Sequence, residues 1–363
     1  MGTCQKDHNS LTDTNKKIFP ALTGYRAIAA WIIFVYHFMP FNNPKYPASI
    51  KQFVWGFHIG VDMFFVLSGF LITYRYFNDR PIDFKKYILN RFARIYPMYI
   101  LITLLVFMVY YLQYQNWNIQ KTIEFILSVT MTKALFADFS WAGISQGWTL
   151  TLEEMFYFTA PIYFILIRKS KYWLIILPVV IFIAGYLLKS IFLNVNYLGG
   201  FLQNNLSVYI FEFFGGIGLA IFILKNKNLS FKIHWATYFG IFILFIYLLC
   251  KQYIGRYIDL KTDIGHALEN VCITLLGIVP LLWGLIHENT FIKRFLSSPL
   301  MIILGKSSYI FYLIHKGFFP VFINDYITDN KLMIFILLNI VSIVLFHYIE
   351  EPLNKFIRKK YSS

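Results

Sequence analysis

Stretches of about twenty consecutive apolar residues recur along this chain, and a helix rising 1.5 Å per residue needs that length to cross the roughly 30 Å hydrocarbon core of a bilayer. They fall at approximately 18–40, 56–77, 93–113, 148–167, 172–192, 205–224, 235–253, 267–286, 300–323 and 332–350. The pattern predicts an all-α polytopic membrane protein of about ten transmembrane helices. Composition agrees, because 14% of the 363 residues are charged and 58% are hydrophobic, whereas soluble domains carry about a quarter charged residues. The first seventeen residues are polar and no small-residue cleavage pattern follows the first apolar run, so the first helix is expected to be retained. Cys4, Cys250 and Cys272 are scattered, odd in number and without metal-ligand spacing, which suggests neither a disulfide framework nor a metal site.

The formal net charge is +15. Its basic residues fall in short loops between apolar runs, as membrane topology requires, so no nucleic-acid partner is expected. An even span count puts both termini on one side. Loops on that side hold 21 basic residues, among them Arg75, Arg91, Arg94, Arg168, Lys293 and Arg358, against nine on the other, including Lys51, Lys121, Lys133, Lys189 and Lys251. The positive-inside rule then places both termini in the cytoplasm. The expected organisation is a cytoplasmic tail at 1–17, a transmembrane domain at 18–355 and a basic cytoplasmic tail at 356–363. Segment 114–147 is the longest outer loop, and its weaker apolar stretch Ile123 to Val129 suits the interface. Tryptophans and tyrosines near span ends, such as Trp31, Trp55, Trp141 and Trp148, read mostly as interfacial anchors.

Polar residues inside the apolar background carry the functional signal. Arg26 and His37 lie eleven residues apart in the first span, about three helical turns, so they project from nearly one face roughly 16 Å apart along the axis. An arginine at a helix centre costs about 2.5 to 3.5 kcal/mol on translocon scales, which favours a bundle interior or wet cavity over lipid. Asp62 opens the second span, where Ser68 and Gly69 also suit close helix packing. Arg91 and Arg94, three apart on one helix face, make either a planar-fork cradle for phosphates or ordinary topological charge. Span four begins Trp148-Thr149-Leu150-Thr151-Leu152-Glu153-Glu154, with Tyr157 one turn beyond Glu153, and two adjacent acids cannot both face lipid cheaply. Glu212 in span six serves a helix contact as readily as a function. Ser308 and His315, seven apart, share a face of span nine.

In order, these segments resemble the acyltransferase-3 family of bacterial membrane O-acyltransferases, across roughly residues 20 to 355. The resemblance rests on Arg26 with His37; Phe64 to Phe70; Arg91-Phe92-Ala93-Arg94 with Tyr96-Pro97; Trp148 to Glu153; Tyr309 to His315; and Glu351-Pro352. Threonines stand at 149 and 151 where the family commonly has serine, and alignment from Trp148 selects Glu153 over Glu154. Relatives with a fused SGNH hydrolase-like domain exist, and this chain resembles the stand-alone type. The resemblance implies a bacterial inner (plasma) membrane enzyme that moves an acetyl group from cytoplasmic acetyl-CoA, its acyl-donor co-substrate, to a hydroxyl of an extracytoplasmic glycan or glycolipid, with no metal. His37, Arg26 and Glu153 are then the catalytic candidates; Arg91, Arg94, Arg26 and Ser68 the donor-binding ones; and Asp62, Tyr157 and His315 those for the acceptor. A neutral histidine suits deprotonation of an attacking hydroxyl. A covalent relay through His37 or Ser68 is the alternative chemistry, and Glu153 is expected to orient His37 or bind the acceptor. The competing class is a secondary transporter of an anionic or sugar substrate, against which the lack of an internal repeat argues.

Overall fold

In a bilayer every backbone amide must find an internal partner, which restricts spanning segments to helices or closed barrels. The computed structural model describes residues 19–38, 46–77, 82–193, 201–202, 204–226, 235–257 and 262–361. These are almost wholly helical, and among them the extended pairing is one isolated bridge, Phe136 with Phe201. Eight helices are long and apolar enough to span: Pro20–Phe38, Ala48–Tyr76, Phe84–Tyr114, Ser145–Lys169, Trp173–Phe192, Leu206–Lys225, Asp263–His287 and Lys331–Lys360. Two shorter apolar helices, Ala236–Lys251 and Pro299–Ile314, occupy the seventh and ninth expected windows. The chain is an all-α polytopic membrane protein. The 1–17 tail, Cys4 and the loop cations Lys45, Arg80, Lys227, Lys232 and Lys261 lie outside the described residues.

The elements used below are α1 (Pro20–Phe38), α2 (Ala48–Trp55), α3 (Ile59–Tyr76), α4 (Phe84–Tyr114), α5 (Ile119–Val129), α6 (Trp148–Lys169), α7 (Trp173–Leu193), α8 (Ile210–Lys225), α9 (Ala236–Tyr257), α10 (Asp263–Ile273), α11 (Val279–His287), α12 (Phe291–Leu296), α13 (Pro299–Ile314), α14 (Phe318–Tyr326), α15 (Lys331–Leu345) and α16 (Glu351–Tyr361). Three boundaries differ from the hydropathy windows. Helix α4 starts nine residues early, capped by Asp83 accepting from the Lys86 amide, so Arg91 and Arg94 lie within a helix instead of flanking one. The ninth span breaks after α13, where Gly317 at φ +86° lets the chain turn into α14. The last helix passes through a π-turn at Phe346–Glu350 and continues as α16 to Tyr361. As expected from its length, α5 is too short to span, and it leaves Ile119 and Ile126 exposed.

Close approach of backbones fixes the centre. A Cβ on Gly305 would lie 1.9 Å from the Thr23 carbonyl oxygen, and one on Gly216 would lie 2.0 Å from that of Val66. Small residues of this kind replace the missing hydrophobic drive between helices in lipid with dispersion contact. Thr23 meets Gly305 and His37 meets His315, so α1 and α13 run parallel. Gly216 meets the Val66 carbonyl, Gly69 meets that of Phe213, and Phe65 packs on Tyr209 and Phe213, so α3 and α8 also run parallel. Gly69 is thus the packing residue of the Ser68-Gly69 pair, which leaves Ser68 free for another task. Helix α7 has 11% of its apolar window buried and forms the periphery.

Candidate active site

A narrow chamber of about 70 Å³ opens between α1, α3, α4, α6 and α13. Arg26, Ser68, Arg91, Arg94, Glu153 and Tyr157, drawn from four separate helices, all line it, with Thr149, Tyr309 and Tyr312. Six residues named from sequence motifs therefore converge on one space. Ser68 Oγ donates to Glu153 Oε1 at 2.6 Å, and the Tyr157 hydroxyl donates to the same oxygen. The Tyr157 backbone is held in turn, its carbonyl accepting from Tyr87 OH at 2.6 Å. Glu153 is thereby clamped by two neutral donors, Ser68 and Tyr157, and His37 lines the other chamber. Its neighbour Glu154 does not line the chamber.

Charge in this chamber is unbalanced. Arg91 is buried, its guanidinium carbon 5.2 Å from the Tyr157 ring centroid and 5.8 Å from that of Tyr76, and its Nε reaches no acceptor. Among the described residues no arginine has a carboxylate within 4.0 Å, since each ion pair there involves lysine or His347. Arg26 lies in the fields of Arg94, Glu350 and Glu153. Glu350 is an addition that the motifs did not supply. It is buried and faces Arg94 and Arg26, whereas Glu351, named in the terminal motif, is partly exposed and pairs with Lys355 at 3.1 Å. The doubled acid was visible in sequence, but only the π-turn before α16 decides which member turns inward.

A second, wide chamber of about 820 Å³ adjoins the first. His37 lines it with Tyr36, Gln52, Trp55, His58, Trp141, Gln146, Trp148, Tyr209, Lys251, His266, Glu269 and Lys316. Tryptophans expected to be membrane anchors are here chamber walls. One cation on this side is closely partnered: Lys251 Nζ lies 2.9 Å from Glu269 Oε1, 2.7 Å from Tyr247 OH and 3.0 Å from His58 Nε2. Lys251 and Glu269 belong to no motif, and the one signal for them was an acid inside an apolar window. Lys316 stands outside the α13 helix, 5.6 Å from the Trp141 ring centroid, and burial pulls its ammonium below the usual lysine range.

Val61 and Tyr312 line both chambers. The Tyr312 hydroxyl shares a 2.8 Å hydrogen bond with Thr149 Oγ1 and donates to the Gln146 carbonyl at 3.2 Å, while Gln146 Nε2 donates to the carbonyls of Tyr312 and Leu313. This ring of bonds fixes the partition. His315 Nδ1 contacts the Tyr312 carbonyl at 2.7 Å, a partner that only an N–H can serve, so Nε2 is the acceptor nitrogen; it is buried without a partner. The His315 ring stacks on His37 with centroids 5.2 Å apart, and it is fully buried and lines neither chamber. Asp62 lines neither chamber either. It is buried beside Glu212 in the α3–α8 seam.

A helical membrane domain with two adjacent chambers at its core defines a multi-pass membrane protein built around an internal site. The chain belongs to the acyltransferase-3 family: the family model, an acyltransferase domain, matches residues 19–349. It is similar to a Staphylococcus aureus (strain COL) protein provisionally named an O-acetyltransferase, 24% identical over 368 residues that cover 93% of this chain and 58% of the relative. It is similar also to the O-acetyltransferase OatA of S. aureus (strain NCTC 8325 / PS 47), 23% identical over 380 residues with the same two shares. The chain thus spans 58% of the length of these curated relatives. No solved structure matches it significantly.

Proposed function

We propose that this chain moves an acetyl group from cytoplasmic acetyl-CoA to a hydroxyl of an extracytoplasmic glycan or glycolipid, in a bacterial inner (plasma) membrane with both termini cytoplasmic. The observation that carries the reading is the shared wall: a narrow chamber rich in unpaired arginines meets a wide, aromatic, histidine-lined chamber at Val61 and Tyr312. Arg91 and Arg94 suit the donor's phosphates, because guanidinium forks bind phosphate oxygens bidentately. The narrow chamber suits its extended arm. Arg26, roughly 16 Å along α1 from His37, is too far to serve the same reacting carbon, so its part is to hold the donor. The aromatic faces and hydrogen-bonding groups of the wide chamber suit a sugar.

In the transfer step the acceptor hydroxyl oxygen attacks the thioester carbonyl carbon. The new C–O bond forms, the C–S bond breaks, the hydroxyl proton passes to His37, and the CoA thiolate departs to be protonated by solvent. His37→Ala is expected to lower transfer by about 10² to 10⁴-fold, measured as acetylated acceptor in proteoliposomes, while CoA affinity stays unchanged. Retained transfer in that variant would remove His37 from the chemistry. CoA release from acetyl-CoA by the purified protein separates this reading from transport, which releases none.

One observation favours a second route. Ser68 donates to Glu153 at 2.6 Å, the arrangement of a nucleophile beside its base. In that route Ser68 Oγ attacks the thioester carbonyl carbon and gives its proton to Glu153 as the C–S bond breaks and the CoA thiolate departs. The acceptor hydroxyl oxygen then attacks the acetyl-serine carbonyl, its proton passes to His37, and the C–Oγ bond breaks as Ser68 Oγ takes its proton back from Glu153. Mass spectrometry of protein incubated with acetyl-CoA and no acceptor decides between them: an acetylated Ser68 peptide establishes the relay, and its absence during active turnover supports direct transfer.

A further inference from the structure

The arginines at the α4 side of the narrow chamber extend beyond Arg91 and Arg94. Helix α16 packs directly against α4, and Arg358 on it lies in the positive fields of Arg75, Arg94 and Arg91, which come from α3 and α4. Its Nε is buried and reaches no acceptor, as is that of Arg91. Arg168 of α6 lies close by, its guanidinium carbon 5.5 Å from the ring centroid of Phe77, the residue next to the Tyr76 ring that Arg91 overlies. Two of its nitrogens, Nε and Nη2, are also buried and unpartnered. None of these five side chains has an ion-pair partner among the described residues.

Like charges gathered from four helices repel one another, and buried N–H donors without acceptors carry a desolvation penalty in addition. A fold keeps such a cluster when an anion compensates it. Arg75 is exposed, so the cluster has a side open to water. We propose that Arg358 and Arg75 join Arg91 and Arg94 in one polyphosphate-binding site, with Arg168 on its flank, and that helix α16 forms a wall of it. Four guanidinium forks match a ligand with more than one phosphate group, such as an organic diphosphate that also carries a phosphomonoester. The site deepens the acetyl-CoA reading, on which its identification as the donor entrance rests. The chemistry it recognises, clustered phosphate, stands without that reading.

Binding of adenosine 3′,5′-bisphosphate and of inorganic pyrophosphate to the full chain in neutral detergent, followed by calorimetry, tests the site. Wild-type protein is expected to bind both, Arg358→Gln to bind about tenfold more weakly, the loss of one charge-assisted hydrogen bond, and Arg358→Lys to fall between. Arg75→Gln, at an exposed position, gives the same readout should Arg358→Gln fail to fold. Equal affinity in the wild type and in folded glutamine variants overturns the proposal. A parallel arm compares reconstitution in phosphatidylcholine vesicles with and without phosphatidylglycerol. Competition by phosphatidylglycerol with no binding of either soluble phosphate identifies a lipid headgroup and overturns the donor entrance. Phosphate binding that weakens in the variants of a protein showing no acetyl transfer leaves the site standing and removes the acetyl-CoA reading instead.

Discussion

Lys251 and Arg91, one cation from each chamber, are held in opposite ways. Lys251 in the wide chamber is met by Glu269, Tyr247 and His58, whereas Arg91 in the narrow one overlies aromatic rings and leaves its Nε unserved. A buried cation that is already paired gains little from an anion and presents its remaining donors to neutral polar groups. An unpaired one is incomplete without an anion. The contrast supports the proposed reading, in which a charged ligand occupies the narrow chamber and a neutral, hydrogen-bonding one the wide chamber. Their common wall, Tyr312, is itself fully hydrogen-bonded.

The largest expected effect tests the contrast directly. Arg91→Gln combined with Arg94→Gln should weaken CoA about 100-fold, the loss of two charge-assisted bonds, while Lys251→Met should leave CoA affinity within about twofold. Equal losses on the two sides would erase the distinction. Next comes the wall. Tyr312→Ala should join the chambers and raise acceptor-independent hydrolysis of acetyl-CoA by about tenfold, whereas Tyr312→Phe keeps the barrier and loses only the bonds to Thr149 and Gln146, about 1 kcal/mol of stability. Hydrolysis unchanged in Tyr312→Ala would show that something else separates the two spaces.

The smallest effect concerns the loop that supplies Trp141 and Gln146 to the wide chamber. Lys133 is fully buried there and donates to the carbonyls of Ala142 and Ile144. Burial pulls its ammonium down to about 7 from the ordinary 10.5. Between those two values the unfolded loop binds more protons than the folded one, so loop stability rises as pH rises from about 7 to about 10.5. Amide exchange across residues 130–147 should therefore show protection growing over that window, after correction for intrinsic exchange, and Lys133→Met should abolish the trend.

Much of the site was legible because its residues are expensive where they stand. Arg26 and Glu153 interrupt apolar runs, and lipid tolerates such residues only around an interior space; Arg91 and Arg94 stand out by their three-residue spacing instead, and the structure gathers all four around one chamber. His37 was legible for the same reason, but its separation from that group was not, since spacing along one helix says nothing of the Tyr312 wall contributed by another. Lys251 and Glu269 escaped notice because they sit near span ends, where charge is ordinary. Arg75, Arg168 and Arg358 escaped it because basic residues in loops already have a sufficient explanation in topology. Asp62 and His315, acceptor candidates on the resemblance, are both buried and line neither chamber, and no sequence pattern separates a polar residue in a helix-packing seam from one that faces a cavity.

By itself the sequence determined the fold class and the approximate positions of the apolar helices, because hydrocarbon thickness fixes how long an apolar run must be and forces its backbone to bond internally. It determined also which residues are too costly to face lipid. Only the tertiary structure decided which of those share a space, which one of Ser68 and Gly69 packs and which faces the chamber, and whether Glu350 or Glu351 turns inward. These are settled by helix rotation and close backbone contact, at Gly216 on Val66 and Gly305 on Thr23, and neighbouring helices, not local sequence, set that rotation.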